Sequence, residues 1–78
     1  MNDDWTQRDA SLKREFVFAD FVSAIDFVGR VAELAEEADH HPDILIHSYR
    51  KVTITLTTHS SGTVTEADRS LASRIDFL

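Results

Sequence analysis

The chain has 78 residues and no Cys, and its eight Lys and Arg face fourteen Asp and Glu, giving a formal net charge of −6. An acidic chain lacks the positive footprint that nucleic-acid binding requires, and without Cys neither a disulfide nor a thiolate metal site is available. One small domain over residues 1–78 is expected, and so is association into a homodimer or homotetramer, because a core of this size buries only roughly 60–65% of the unfolded surface.

The N-terminal MNDDWTQRD is polar and has no apolar core of the kind a signal peptide needs. No apolar run approaches the ~20 residues that span a bilayer. The expectation is a soluble, cytoplasmic protein with no membrane contact.

The first clear element is LKREFVF, 12–18. Leu12, Arg14, Phe16 and Phe18 alternate with Lys13, Glu15 and Val17, which is the pattern of a half-buried strand. Trp5 to Arg8 is read as a short partner strand, with Arg8 to Ser11 as the turn. The period then changes. Across 20–38, Phe21, Ala24, Ile25, Val28, Val31, Ala32 and Ala35 recur at steps of three and four, predicting a helix with that apolar face. Asp20 is its expected N-cap. Gly29 is costly in a helix interior, so close packing is the reason expected for it. Pro42 disfavours helical geometry at His41, so the helix should end by Asp39 or His40.

ILIHSY, 44–49, and KVTITLTT, 51–58, predict a hairpin turning at Tyr49 and Arg50. In the second strand Val52, Ile54 and Leu56 share one face and Thr53, Thr55 and Thr57 the other. SSGT, 60–63, is a loop. From Thr65 a second helix is predicted, with Thr65 and Asp68 as a capping box that uses Asp instead of Glu and with Leu71, Ile75 and Leu78 as its stripe. The fold class is α+β: an antiparallel four-stranded sheet, order (β)β-α-ββ-α, with both helices on one face.

The residues able to carry chemistry are Glu36, Asp39, His40, His41, His47, His59 and Asp68, with Tyr49 beside them. Glu36 and His40 are four apart, so helix phase puts them on one face, where a carboxylate can fix an imidazole tautomer. His59 directly follows the Thr-rich strand. Plain structural readings stand next to these. A His at a helix C-terminus suits the dipole, an Asp in a first turn suits the opposite end, and His47 sits inside a strand pattern. Adjacent His side chains diverge, and neither HExxH nor a Cys/His framework is present, so no metal is expected.

The full spacing is more specific: Glu36, three residues, His40-His41-Pro42, six residues, Tyr49, nine residues, His59, eight residues, Asp68. This resembles the signature of the pterin-4a-carbinolamine dehydratase family. LKREFVFADFVSAIDFVGRVAELAEEADHHPD, KVTITLTTH and TEADRSLASRID are similar to the family's strand, helix and HHP segment, its following strand and its last helix. The chain departs from the family in three respects. It begins without the additional N-terminal helix expected of the family, Ile44 stands where many members have an aromatic residue, and the HHP-to-Tyr interval is the longer of two variants. The resemblance implies a hydro-lyase that dehydrates 4a-hydroxytetrahydrobiopterin to quinonoid dihydrobiopterin without metal or redox cofactor, in a pathway with an aromatic amino-acid hydroxylase. It implies His40 and His59 as acid and base, His41 in the pterin pocket, and Glu36, Asp68 and Tyr49 as supporting residues. The alternative it leaves is a non-catalytic pterin-binding or protein-docking module, since some members act as dimerisation cofactors.

Overall fold

A computed structural model describes residues 4–78. The elements are β1 (Thr6–Arg8), β2 (Ser11–Val17), α1 (Phe21–Ala38), β3 (Asp43–His47), β4 (Lys51–Leu56) and α2 (Glu66–Asp76). The four strands form one antiparallel sheet in the order β1-β2-β4-β3. This is the expected α+β arrangement; β2, β3 and β4 end one or two residues before the predicted positions, β2 and β3 start one residue earlier, and β1 starts one residue later.

The register explains the two faces. Leu12, Arg14 and Phe16 of β2 lie opposite Leu56, Ile54 and Val52 of β4, and Ile44 and Ile46 of β3 lie opposite Ile54 and Val52. These residues share a face because side chains alternate along a strand. Val52, Ile54 and Leu56 are fully buried and join Ala24, Phe27 and Val31 of α1 and Leu71, Ala72 and Ile75 of α2 in one core. Each large aliphatic side chain sealed there contributes about 1.5–3 kcal/mol. The polar face, with Lys13, Glu15, Thr53 and Thr55, is left open.

Arg14 is the polar residue on the inward phase of β2, and it is paired. Its guanidinium meets Asp76 at 2.7 Å and Asp4 at 3.2 Å and lies 4.3 Å from the Phe16 ring centre. The Trp5 indole N–H also donates to Asp76, at 2.9 Å. Trp5, just before β1, and strand β2 are thereby tied to the end of α2.

Helix α1 starts as expected. The Asp20 carboxylate accepts from the Ser23 N–H at 2.8 Å, which holds the Asp20 carboxyl below its ordinary range. Its buried face is rotated from the predicted one. Ala24, Phe27, Val31 and Ala35 are buried, Val28 and Leu34 pack at their edge, and Phe21, Ile25 and Ala32 are exposed. Leu78 of the predicted α2 stripe is likewise exposed. A Cβ added at Gly29 would meet nothing within 4 Å, so close packing does not account for that glycine.

The end of α1 orients the next segment. Asp39 adopts the left-handed conformation, φ 51°. Its N–H reaches the Glu36 carbonyl at 3.3 Å and the His40 N–H reaches the Ala35 carbonyl at 3.1 Å, a Schellman closure. Asp is one of the few non-glycine residues that tolerate this conformation. Asp39, which belongs to no position of the spacing signature, is therefore the residue that turns the chain.

Candidate active site

Glu36, His40, His41, His59 and Asp68 lie at one end of the sheet. Antiparallel pairing of β3 with β4 sets Asp43 opposite Thr55. The His40-His41-Pro42 segment entering β3 therefore lies at the same end as the Thr58-His59 segment leaving β4. A bridge between Thr58 and Thr63 closes the turn that carries His59, and α2 begins three residues beyond Thr63.

Asp68 is the centre of this cluster. It is completely buried, and its carboxylate is fully engaged. Oδ1 lies 2.5 Å from His40 Nε2. Oδ2 accepts from the Thr58 hydroxyl at 2.7 Å and from the Thr65 N–H at 2.9 Å. The last bond is the carboxylate half of the predicted capping box. Burial alone raises the Asp68 carboxyl, but the bonds from His40, Thr65 and Thr58, with the attraction of His40, outweigh it and hold the group below its ordinary value. Asp68 is therefore an ionised acceptor in neutral solution.

An ionised carboxylate only accepts, so His40 must present Nε2–H to it. In the neutral imidazole the remaining nitrogen, Nδ1, then carries the lone pair. The sequence spacing gives no access to this assignment, which follows from the Asp68 contact. His40 is mostly buried and its ring is fixed.

Helix phase predicted that Glu36 would support His40. The structure pairs Glu36 with His41 instead, at 2.6 Å. The reason is Asp39: once it leaves right-handed geometry, the four-residue relation no longer holds, and His40 is carried towards α2. The Glu36–His41 pair is exposed on both sides, unlike the pair beneath it.

His59 is exposed in its turn, one residue after Thr58. Tyr49 lies elsewhere. It is exposed at the β3–β4 hairpin tip, beyond the His47–Lys51 pair, with β4 between it and the histidines, about 17 Å of strand. A single chain does not bring Tyr49 to the cluster. His47 is on the open face of the sheet, bonded to Glu15 at 2.9 Å, beside a shallow concavity of about 990 Å³ that also includes Lys13, Thr53 and Thr55.

Thr58 was missed by sequence reasoning, although a signal existed. Position 58 continues the inward phase of Val52, Ile54 and Leu56. A hydroxyl on that phase needs a buried partner, and Asp68 is the partner it finds.

A family model described as pterin 4 alpha carbinolamine dehydratase matches residues 1–78. The chain belongs to that family. A Picosynechococcus relative, named provisionally as a pterin-4-alpha-carbinolamine dehydratase, is 51% identical over 75 residues, covering 96% of this chain and 80% of the relative. The crystal structure of a transcriptional coactivator/pterin dehydratase from Brucella melitensis superimposes with TM-score 0.88 at 38% identity, over 95% of this chain and 80% of that one. A second solved structure is of a pterin dehydratase-like protein identified as a RuBisCO assembly factor in the alpha-carboxysome. It matches with TM-score 0.74 at 29% identity, over 92% of this chain and 82% of that chain. Among the described residues of this family member, no helix is long and apolar enough to cross a membrane.

Proposed function

We propose that this protein is a hydro-lyase that dehydrates a 4a-hydroxytetrahydropterin, 4a-hydroxytetrahydrobiopterin being the substrate implied by its family, to the quinonoid dihydropterin. The observation that carries the reading is the buried Asp68 carboxylate 2.5 Å from His40 Nε2, which leaves Nδ1 as the basic nitrogen of the neutral ring.

The chemistry asks for two proton movements and nothing more. The C4a hydroxyl leaves as water when it receives a proton, and N5 gives up its proton as its lone pair forms the new double bond. One proton enters and one leaves, so the reaction consumes none overall, and proton exchange with solvent water returns each histidine to its starting form before the next turnover. In this reading His40 Nδ1 takes the N5 proton and His59 delivers the proton to the departing hydroxyl. Imidazole suits both tasks because it titrates near neutrality, and each transfer contributes typically 10²–10⁴-fold. His41, held by Glu36, orients the pterin. Asp68 and Glu36 support without touching the reacting atoms. Tyr49 joins such a site only from a second copy of the chain.

The reading carries with it a homodimer or homotetramer, supported by the exposed apolar residues Phe21, Val22 and Ile25 on α1. It also carries a cytoplasmic location and an aromatic amino-acid hydroxylase as the source of the carbinolamine. Stopped-flow dehydration of the carbinolamine by the purified protein tests it. A folded protein that leaves the spontaneous rate unchanged overturns it.

A second reading is a non-catalytic docking module. The similarity to a RuBisCO assembly factor and the exposed α1 stripe favour it. Pterin binding at equilibrium without acceleration, or no pterin binding at all, would select it.

A further inference from the structure

We propose that Thr58 is a positioning residue, whose hydroxyl locks the Asp68 carboxylate in the rotation that presents Oδ1 to His40. The proposal rests on the reading of His40 as a proton-transfer group, and it goes beyond the residues of the spacing signature.

The proton inventory gives the direction of each bond. Asp68 is ionised and can only accept, so the single Thr58 proton points to Oδ2 at 2.7 Å. The Thr58 oxygen also lies 2.7 Å from the Thr65 hydroxyl. Having spent its proton on Asp68, Thr58 must accept there, and Thr65 donates. A carboxylate turns about its Cβ–Cγ bond. Two donors on Oδ2, the Thr58 hydroxyl and the Thr65 N–H, oppose that turn, whereas the N–H alone is a single pivot. The Thr58 backbone is held independently, since its N–H reaches the Thr63 carbonyl at 3.1 Å. Removing the hydroxyl therefore leaves the turn in place.

The plain alternative is that Thr58 merely satisfies its own half-buried hydroxyl. The two differ at His40. If Thr58 positions Asp68, loss of the hydroxyl loosens the His40 Nε2–H bond. If it does not, that bond is unaffected.

The experiment is proton NMR of the His40 Nε2–H in the full chain at neutral pH, for wild type, Thr58→Val and Thr58→Ser. In wild type the signal is expected far downfield and slow to exchange with water. In Thr58→Val it is expected to move upfield and exchange faster, and Thr58→Ser is expected to restore it. In parallel, kcat should fall about tenfold in Thr58→Val with little change in KM, and recover in Thr58→Ser, as for the loss of one hydrogen bond to a charged group. A Thr58→Val signal that is unshifted, or shifted downfield, overturns the proposal. Should the valine variant not fold, Thr58→Cys, a weak donor of similar size, is expected to give a smaller upfield shift, and an unmoved signal there overturns it equally. The NMR arm does not depend on turnover. A folded wild type without dehydratase activity but with the expected Thr58→Val shift supports the positioning role and removes only the dehydratase reading.

Discussion

Asp68→Asn is the substitution that tests the site most directly. Asn has nearly the same shape, so the pocket is not emptied. Two of the three groups around residue 68, the Thr58 hydroxyl and the Thr65 N–H, donate to the Oδ2 position. The amide carbonyl takes that position and keeps both bonds. Its NH₂ is then turned towards His40, where Oδ1 had been at 2.5 Å. Two donors cannot face each other, so the imidazole must offer a lone pair at Nε2 and move its proton to Nδ1. The nitrogen assigned as base becomes a donor. The expected loss of kcat is roughly 10²–10⁴-fold, the contribution of one general-base step. Stability should fall as well. Three bonds lose their charge assistance, together at most about 3–4 kcal/mol from the difference between charged and neutral hydrogen bonds, and the smaller burial cost of a neutral amide returns part of it. Long-range proton–nitrogen correlation spectra report the His40 tautomer, stopped-flow reports the rate, and thermal unfolding reports the fold. An Asp68→Asn variant that keeps the Nε2–H tautomer, or keeps full activity, refutes the reasoning.

Three further outcomes are expected. The Asp68 carboxyl is held below its ordinary value of 3.8, so its contribution to stability is fully present above that value and is lost as the pH falls through the depressed one. Urea unfolding below pH 4 should therefore weaken more steeply for wild type than for Asp68→Asn, and equal slopes would count against an ionised Asp68. Gly29→Ala should raise the melting temperature, because the added methyl has open space and a helix-interior glycine costs about 0.5–1 kcal/mol relative to alanine; a lower value would show a contact that the fold does not contain. His59→Ala should slow turnover at least about tenfold with unchanged far-ultraviolet circular dichroism, and an unchanged rate removes His59 from the mechanism.

The sheet was legible because its strands alternate cleanly. KVTITL leaves one phase apolar and the other Thr, and a slip of one residue would bury the wrong set. The caps were legible because they rest on local chemistry, as at Asp20 and Thr65. The face of α1 was not. Its sequence carries apolar residues on two sides, Ala24-Phe27-Val31-Ala35 inside and Phe21-Ile25-Ala32 outside, and period alone cannot say which side the sheet covers. The site was half legible. The signature named His40, Asp68 and Glu36, but helix phase assigned Glu36 to the wrong histidine, because a single left-handed residue at Asp39 resets the phase. The strand phase marks position 58 as inward-facing, but its partner lies ten positions away, and no periodicity identifies that partner.

Asp68 belongs to two structures at once. Its carboxylate holds the catalytic candidate His40, and the same oxygen that binds Thr58 accepts the N–H that starts α2. The first turn of α2 and the His40 contact therefore share one anchor. A fluctuation that frays the helix start removes one of the donors that hold the carboxylate facing His40. The Thr65 amide proton is the natural gauge of that event: its hydrogen-exchange rate measures how often this anchor is released in the native protein. A bound pterin that rests on a fixed His40 should slow that one amide, although Thr65 itself is not assigned a contact with substrate.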